Sequence, residues 1–217
     1  MAEFGPDIVI IRINDLNRDA ALQARSQGIY SGVHHRRSRL ARLSGRFFVI
    51  EKNLVIAGRL VFPDRWPRKL RFDADAAMAT FSENLETLVT LCRQDGATVV
   101  LIEAAGLLRE SQSPVRQRLA AASLIYYMPF MTIRGLLEAR KAYVRTQQVV
   151  AEKTGSLFID IGESVPADRT HFADANHYRD TGSRIAATAL AQALIDRGVL
   201  SSIAKSAGAL APRRYAH

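Results

Sequence analysis

A single cysteine, Cys92, stands among the 217 residues. That excludes an internal disulfide and any zinc site built on cysteines. Cys92 falls on the apolar stripe of an expected helix, where it reads as core filler. Aromatic residues make up only 7% of the chain, with one Trp. No uninterrupted apolar run approaches the roughly 18 residues that a membrane span needs. The opening Met1-Ala2-Glu3-Phe4-Gly5 has neither a basic n-region nor an apolar h-region, so no signal peptide is expected in these residues. On this chain alone the expectation is a cytoplasmic location, with secretion open if a leader lies upstream.

Acids are missing from one long stretch. None occurs between Asp19 and Glu51, while Arg25, Arg36, Arg37, Arg39, Arg42 and Arg46 gather beside His34 and His35. Much of the formal charge of +9 comes from here. A basic run of this kind attracts nucleic acid, anionic lipid or an acidic polymer, or is simply a solvated face. Without interleaved aromatics or a nucleic-acid motif, the nucleic-acid reading is disfavoured. His34 and His35 have no partner acids at metal-ligand spacing, and no cofactor is expected.

What is present is alternation. Residues 7–13, 98–102 and 157–161 are short, β-branched apolar runs that read as buried parallel strands. Between them, Phe81, Leu85, Leu88, Val89 and Cys92 form one helical stripe ending at Asp95-Gly96. A second helix is expected over 135–153, stopped by Gly155. A third is expected over 183–196, with Ile185, Ala186, Ala189, Leu190, Ala193 and Leu194 inward and Gly198 at its end. Residues 20–46 read as a polar, basic connection, helical over 36–43. Residues 47–50 and 54–62 alternate weakly and read as short strands before Pro63 and Pro67. Pro114 and Pro129 break the stretch 107–133; within it, 124–131 is either an apolar lid or, preferably, a core segment. Residues 1–198 form one domain on this reading, and 199–217 a flexible basic tail. The fold class is α/β, with a parallel sheet covered on both faces.

In such sheets ligands sit beyond the carboxyl ends of the strands. Asn14 follows the first strand, and Asp174 and His177 follow the third, so all three map to one rim. Asp174-Ala175-Asn176-His177 places a carboxylate and an imidazole on one short turn, the arrangement of a base whose tautomer is fixed by an acid. Alone, Asn14-Asp15 is a common turn, and Asp-x-x-His a common hydrogen-bonded loop.

The run Pro6-Asp7-Ile8-Val9-Ile10-Ile11-Arg12-Ile13-Asn14-Asp15 resembles the third conserved block of the SGNH (GDSL-type) hydrolases. The pair Phe81-Ser82-Glu83-Asn84-Leu85 and Gly96-Ala97-Thr98-Val99-Val100-Leu101-Ile102 is similar to that family's central segment. Residues 141–160, then Asp174 to His177 with Gly182, resemble its closing block. The resemblance runs over about residues 6–196, in family order. It implies a three-layer, flavodoxin-like α/β/α fold and a serine ester hydrolase working through an acyl-enzyme, without metal or organic cofactor. His177 would then be the general base, Asp174 its orienting acid, and Asn14 an oxyanion donor worth ~3 kcal/mol in the transition state.

Two departures qualify that picture. Where the family has a Gly two residues before the Asn, this chain has Arg12, which would narrow the oxyanion region or bind an acidic substrate group. The Gly-Asp-Ser nucleophile block and the second block do not precede Pro6. Gly162-Glu163-Ser164 imitates the nucleophile turn, but its place in family order argues against Ser164 and no nucleophile is identified. The expectation is therefore an N-terminally truncated hydrolase, inactive alone, whose first strand is left as an exposed edge. A missing upstream segment or a second copy would cover that edge. Expected substrates are small-molecule, polysaccharide or lipid esters. The alternative is a non-catalytic, hydrolase-derived binding domain that engages an acidic partner through residues 25–46.

Overall fold

The computed structural model describes residues 5–13, 16–29, 45–61 and 69–209. Three parallel strands, β1 (Ile8–Ile11), β2 (Thr98–Glu103) and β3 (Leu157–Asp160), form a sheet in the order β1-β2-β3. Ile8 to Ile11 pair with Thr98 to Leu101, and Val100 to Glu103 with Leu157 to Asp160. Helices make the crossovers. Between β1 and β2 lie α1 (Leu16–Ser26), α2 (Gly45–Val61) and α3 (Ala74–Gln94). Between β2 and β3 lie α4 (Pro114–Ala120), α5 (Ala122–Tyr127) and α6 (Ile133–Thr154). α7 (Asp180–Asp196) and α8 (Val199–Ala209) follow. The fold class is α/β. Among the described residues no helix is long and apolar enough to cross a membrane.

The central strand shows why the sheet is sandwiched. Val99, Val100, Leu101 and Ile102 are all buried, and successive side chains point to opposite faces. Val99 and Leu101 join Phe81, Leu85 and Val89 of α3 and Tyr143 and Val150 of α6. Val100 and Ile102 join the core on the other face, with Ala20, Met128, Phe172, Ala186 and Leu194. Phe81 and Tyr143 meet edge to face, 4.8 Å between centroids. Local chemistry sets the helix ends. Asp73 caps α3 by accepting from the Ala76 N–H, and Thr132 caps α6 by accepting from the Gly135 N–H. Gly155 ends α6 at φ 63°, a left-handed position that favours glycine.

Four expectations are corrected. Residues 47–50 and 54–61 are not strands but parts of the single helix α2; short apolar runs do not separate helix from strand by periodicity. α1 occupies the start of the stretch read as a connection. It packs through Ala20 and Ala24, both fully buried, so no large apolar stripe announces it. The tail is helical over 199–209, with Val199 buried and Ile203 against the core. Leu88, placed on the inward stripe of α3, is 38% exposed. The expected helix over 36–43 and residues 62–68 lie outside the described residues. The 124–131 stretch is core, with Tyr126, Met128, Phe130 and Met131 buried. β1 is an edge strand with Ile10 43% exposed, and its outer side pairs with no described residue.

Candidate functional site at the carboxyl ends of the strands

β3 leads into a loop that is tied down before it reaches the expected site. The Gly162 N–H donates to Asp160 Oδ1 at 2.6 Å, and the Ser164 N–H to the Ile161 carbonyl at 3.1 Å. Arg109, buried after β2, donates to the Glu163 carboxylate and the Val165 carbonyl. One guanidinium thus joins the exits of β2 and β3. Ser164 is exposed, and its hydroxyl bonds no described residue.

Two Asp-x-x-His turns follow. In the first, Asp168 Oδ1 accepts from the backbone N–H groups of Thr170 and His171 and lies 2.7 Å from His171 Nδ1. In the second, Asp174 Oδ1 accepts from the N–H groups of Asn176 and His177, and Asp174 Oδ2 lies 2.8 Å from His177 Nδ1. The second turn caps a tight hairpin: Phe172 and Tyr178 form an antiparallel bridge, and the Ala173 N–H donates to the His177 carbonyl at 2.9 Å. Its tip is plugged into the fold. Ala175 is buried; its N–H donates to Ser123 Oγ at 3.1 Å, and its carbonyl accepts from the Leu107 N–H at 3.0 Å. Asp174 and His177 are therefore set on a fixed loop.

The electrostatics favour an oriented base. Partial burial acts to raise the Asp174 pKa, but the N–H of Asn176, the His177 imidazole and the His177 N–H outweigh it and hold the carboxyl below its usual range. An ionised carboxylate only accepts, so the proton between the two groups sits on Nδ1; in the neutral imidazole that leaves the lone pair on Nε2. The His177 side chain is 79% exposed and that of Asp174 31%. No hydroxyl among the described residues is hydrogen-bonded to His177.

A cavity of about 330 Å³ opens beside this turn, at the ends of β1 and β2. Ala175 and Asn176 form part of its wall; the His177 imidazole does not. Leu124, Met128, Leu136 and Leu137 give it an apolar side, while Arg12, Glu103 and Arg140 supply charge. The guanidinium of Arg12 lies 5.7 Å from the Tyr178 ring centroid, and its Nη2 donates to the Asn176 carbonyl at 3.4 Å. Arg140 Nε donates to Glu103 Oε1 at 2.7 Å and Nη2 to the Ala104 carbonyl at 3.1 Å. Burial pushes the Glu103 carboxyl above its usual range, against the pull of Arg140 and Arg12. Burial likewise raises the Tyr178 phenol, whose oxygen is shut off from solvent without a well-formed hydrogen bond.

Arg12 and the Asp174–His177 turn thus meet at one rim, and Asn14 lies outside the described residues. Sequence reasoning missed the Asp168–His171 turn, although its spacing is the same and was visible. It also missed Glu103 and Arg140, which belong to different elements and carry no local signature. Among the described residues no cluster of three or more His, Cys, Asp or Glu could hold a metal ion. No family model, curated protein or solved structure matches the chain.

Proposed function

We propose that the chain is part of an SGNH-type, flavodoxin-like ester hydrolase and contributes its base half. The single observation that carries this reading is the Asp174–His177 pair, an ionised carboxylate on Nδ1 with the imidazole exposed, on a turn whose Ala175 and Asn176 wall a part-apolar, part-charged cavity at the strand ends. In this reading a serine supplied from beyond this chain attacks the ester carbonyl. Its Oγ–C bond forms as the hydroxyl proton passes to His177 Nε2, and the imidazolium then protonates the leaving alcohol. Water repeats the sequence on the acyl-enzyme and frees the acid. Asp174 stabilises the imidazolium throughout. Arg12, at the cavity mouth, binds an acidic group of the substrate, and the Leu124–Met128 side receives its apolar part.

The test uses the 217-residue chain with an activated acetate ester and a serine-directed fluorophosphonate. Slow, imidazole-level turnover is expected, lost in His177→Ala and kept in His171→Ala, without stoichiometric labelling. Turnover equal in wild type and His177→Ala contradicts the assignment of the base. Rapid turnover with stoichiometric labelling overturns the view that the chain lacks its own nucleophile.

A further inference from the structure

α2 presents an apolar stripe to solvent. Glu51, Lys52, Val55 and Ile56 are partly buried against the protein. The outer stripe is Ile50, Leu54, Ala57 and Val61, at helical spacing, with Ile50 55%, Leu54 68% and Val61 66% exposed. Val49, beside it, is 54% exposed. A surface helix ordinarily shows the reverse arrangement, with its polar face to water, and a contiguous apolar face in water marks an interaction site. α2 rests on α5. There Lys52 Nζ lies 5.4 Å and 5.1 Å from the ring centroids of Tyr126 and Tyr127, and Tyr127 is itself 57% exposed.

Charge tells what covers the stripe. Residues 20–72, which bracket α2, hold twelve Lys and Arg against two acids, Glu51 and Asp64. The rest of the chain holds 18 Lys and Arg against 19 acids. The entire positive surplus therefore flanks the apolar helix in sequence. A second copy of this chain would bring the same surplus against itself, and a nucleic acid would meet the charge but leave the stripe in water. An anionic bilayer satisfies both: acyl chains take the apolar side chains, and lipid phosphates take the cations. The exposed Tyr127 suits the headgroup level.

We propose that α2 docks this protein on an anionic membrane surface, lying in the interface without spanning it, with the stripe from Ile50 to Val61 inserted. α5, the seat of α2, also carries Leu124 into the cavity wall, so one helix separates the docked surface from the cavity.

Flotation of the full chain with vesicles of mixed phosphatidylglycerol and phosphatidylcholine tests this. Binding is expected on the mixed vesicles and far less on phosphatidylcholine alone. Salt should weaken the binding without abolishing it. Leu54→Glu combined with Val61→Glu should weaken it by more than roughly tenfold, since each glutamate puts a charge where an aliphatic side chain would enter the acyl region. Both positions face solvent, and circular dichroism checks that the variant folds. Leu54→Trp should strengthen binding. No flotation on anionic vesicles, or flotation unchanged by the glutamates, overturns the proposal. So does DNA binding that outcompetes the vesicles and ignores the glutamates, and so does a dimer that the glutamates dissociate in the absence of vesicle binding.

Discussion

Asp168–His171 and Asp174–His177 share a spacing and a hydrogen-bond pattern, yet they place their imidazoles in opposite surroundings. In the first turn the histidine side chain is 18% exposed and the aspartate 51%. In the second the histidine is 79% exposed and the aspartate 31%. The difference originates in what packs on each. The His171 carbonyl accepts from the Arg179 N–H at 2.8 Å, and the Thr170 carbonyl accepts from Thr181 Oγ1 at 2.8 Å. Gly182 comes so close that a Cβ there would lie 2.2 Å from the His171 carbonyl oxygen. The first turn is a clamp that seats the start of α7 through its backbone carbonyls, and its imidazole is largely buried against Asp168. The second turn is held from behind, through Ala175, and its imidazole is left free. The Asp-x-x-His spacing alone thus does not tell the two turns apart; the exposure of the imidazole relative to its carboxylate does.

The strongest way to break this contrast is Gly182→Ala. The methyl group must displace backbone, at a cost of about 1–3 kcal/mol, which urea denaturation would show as a lower midpoint. The two histidine truncations should differ next. His171→Ala removes a partly buried hydrogen-bonded group and should cost about 1 kcal/mol, whereas His177→Ala should stay within about 0.5 kcal/mol; thermal unfolding of the two variants compares them directly. Equal losses would mean that both turns are structural.

A smaller effect appears in acid. His171, opposed by slight burial, and the N–H groups of Thr170 and His171 hold Asp168 below its usual range; Asp174 is also low, for the reasons given above. A depressed native pKa means that the unfolded chain takes up the proton first as pH falls. The stabilisation is complete above the ordinary aspartate value near about 4 and is lost as pH drops through the native values. Asp168→Asn and Asp174→Asn should each flatten the fall in stability below about pH 4, as followed by urea titrations at stepped pH. A fall of unchanged steepness in both variants would remove the carboxylates from the account.

The parts of the fold that were legible in the sequence are those with one apolar face. Val99 to Ile102 announce a buried strand, and Phe81, Leu85 and Val89 a helix, because water and core sort their side chains cleanly. α1 stayed hidden because alanines make its contact. α2 stayed hidden because its outer side is apolar too, which erases the helical period. The Asp174–His177 turn was readable from spacing, since both groups and their bonds lie within four residues. The Glu103–Arg140 pair was not, because 37 residues and a change of element separate them. The second Asp-x-x-His was equally visible, but only packing distinguishes the clamp from the open base.

Acylation of the folded chain by diethyl pyrocarbonate, mapped by peptide mass over time, tests that distinction most directly. His177 should be modified several-fold faster than His171. Asp174→Asn, which no longer fixes the tautomer with Nε2 free, should slow His177, while Asp168→Asn should leave it unchanged. Equal rates at the two histidines, or a His177 rate indifferent to Asp174→Asn, would contradict the claim that this turn holds an oriented, open base.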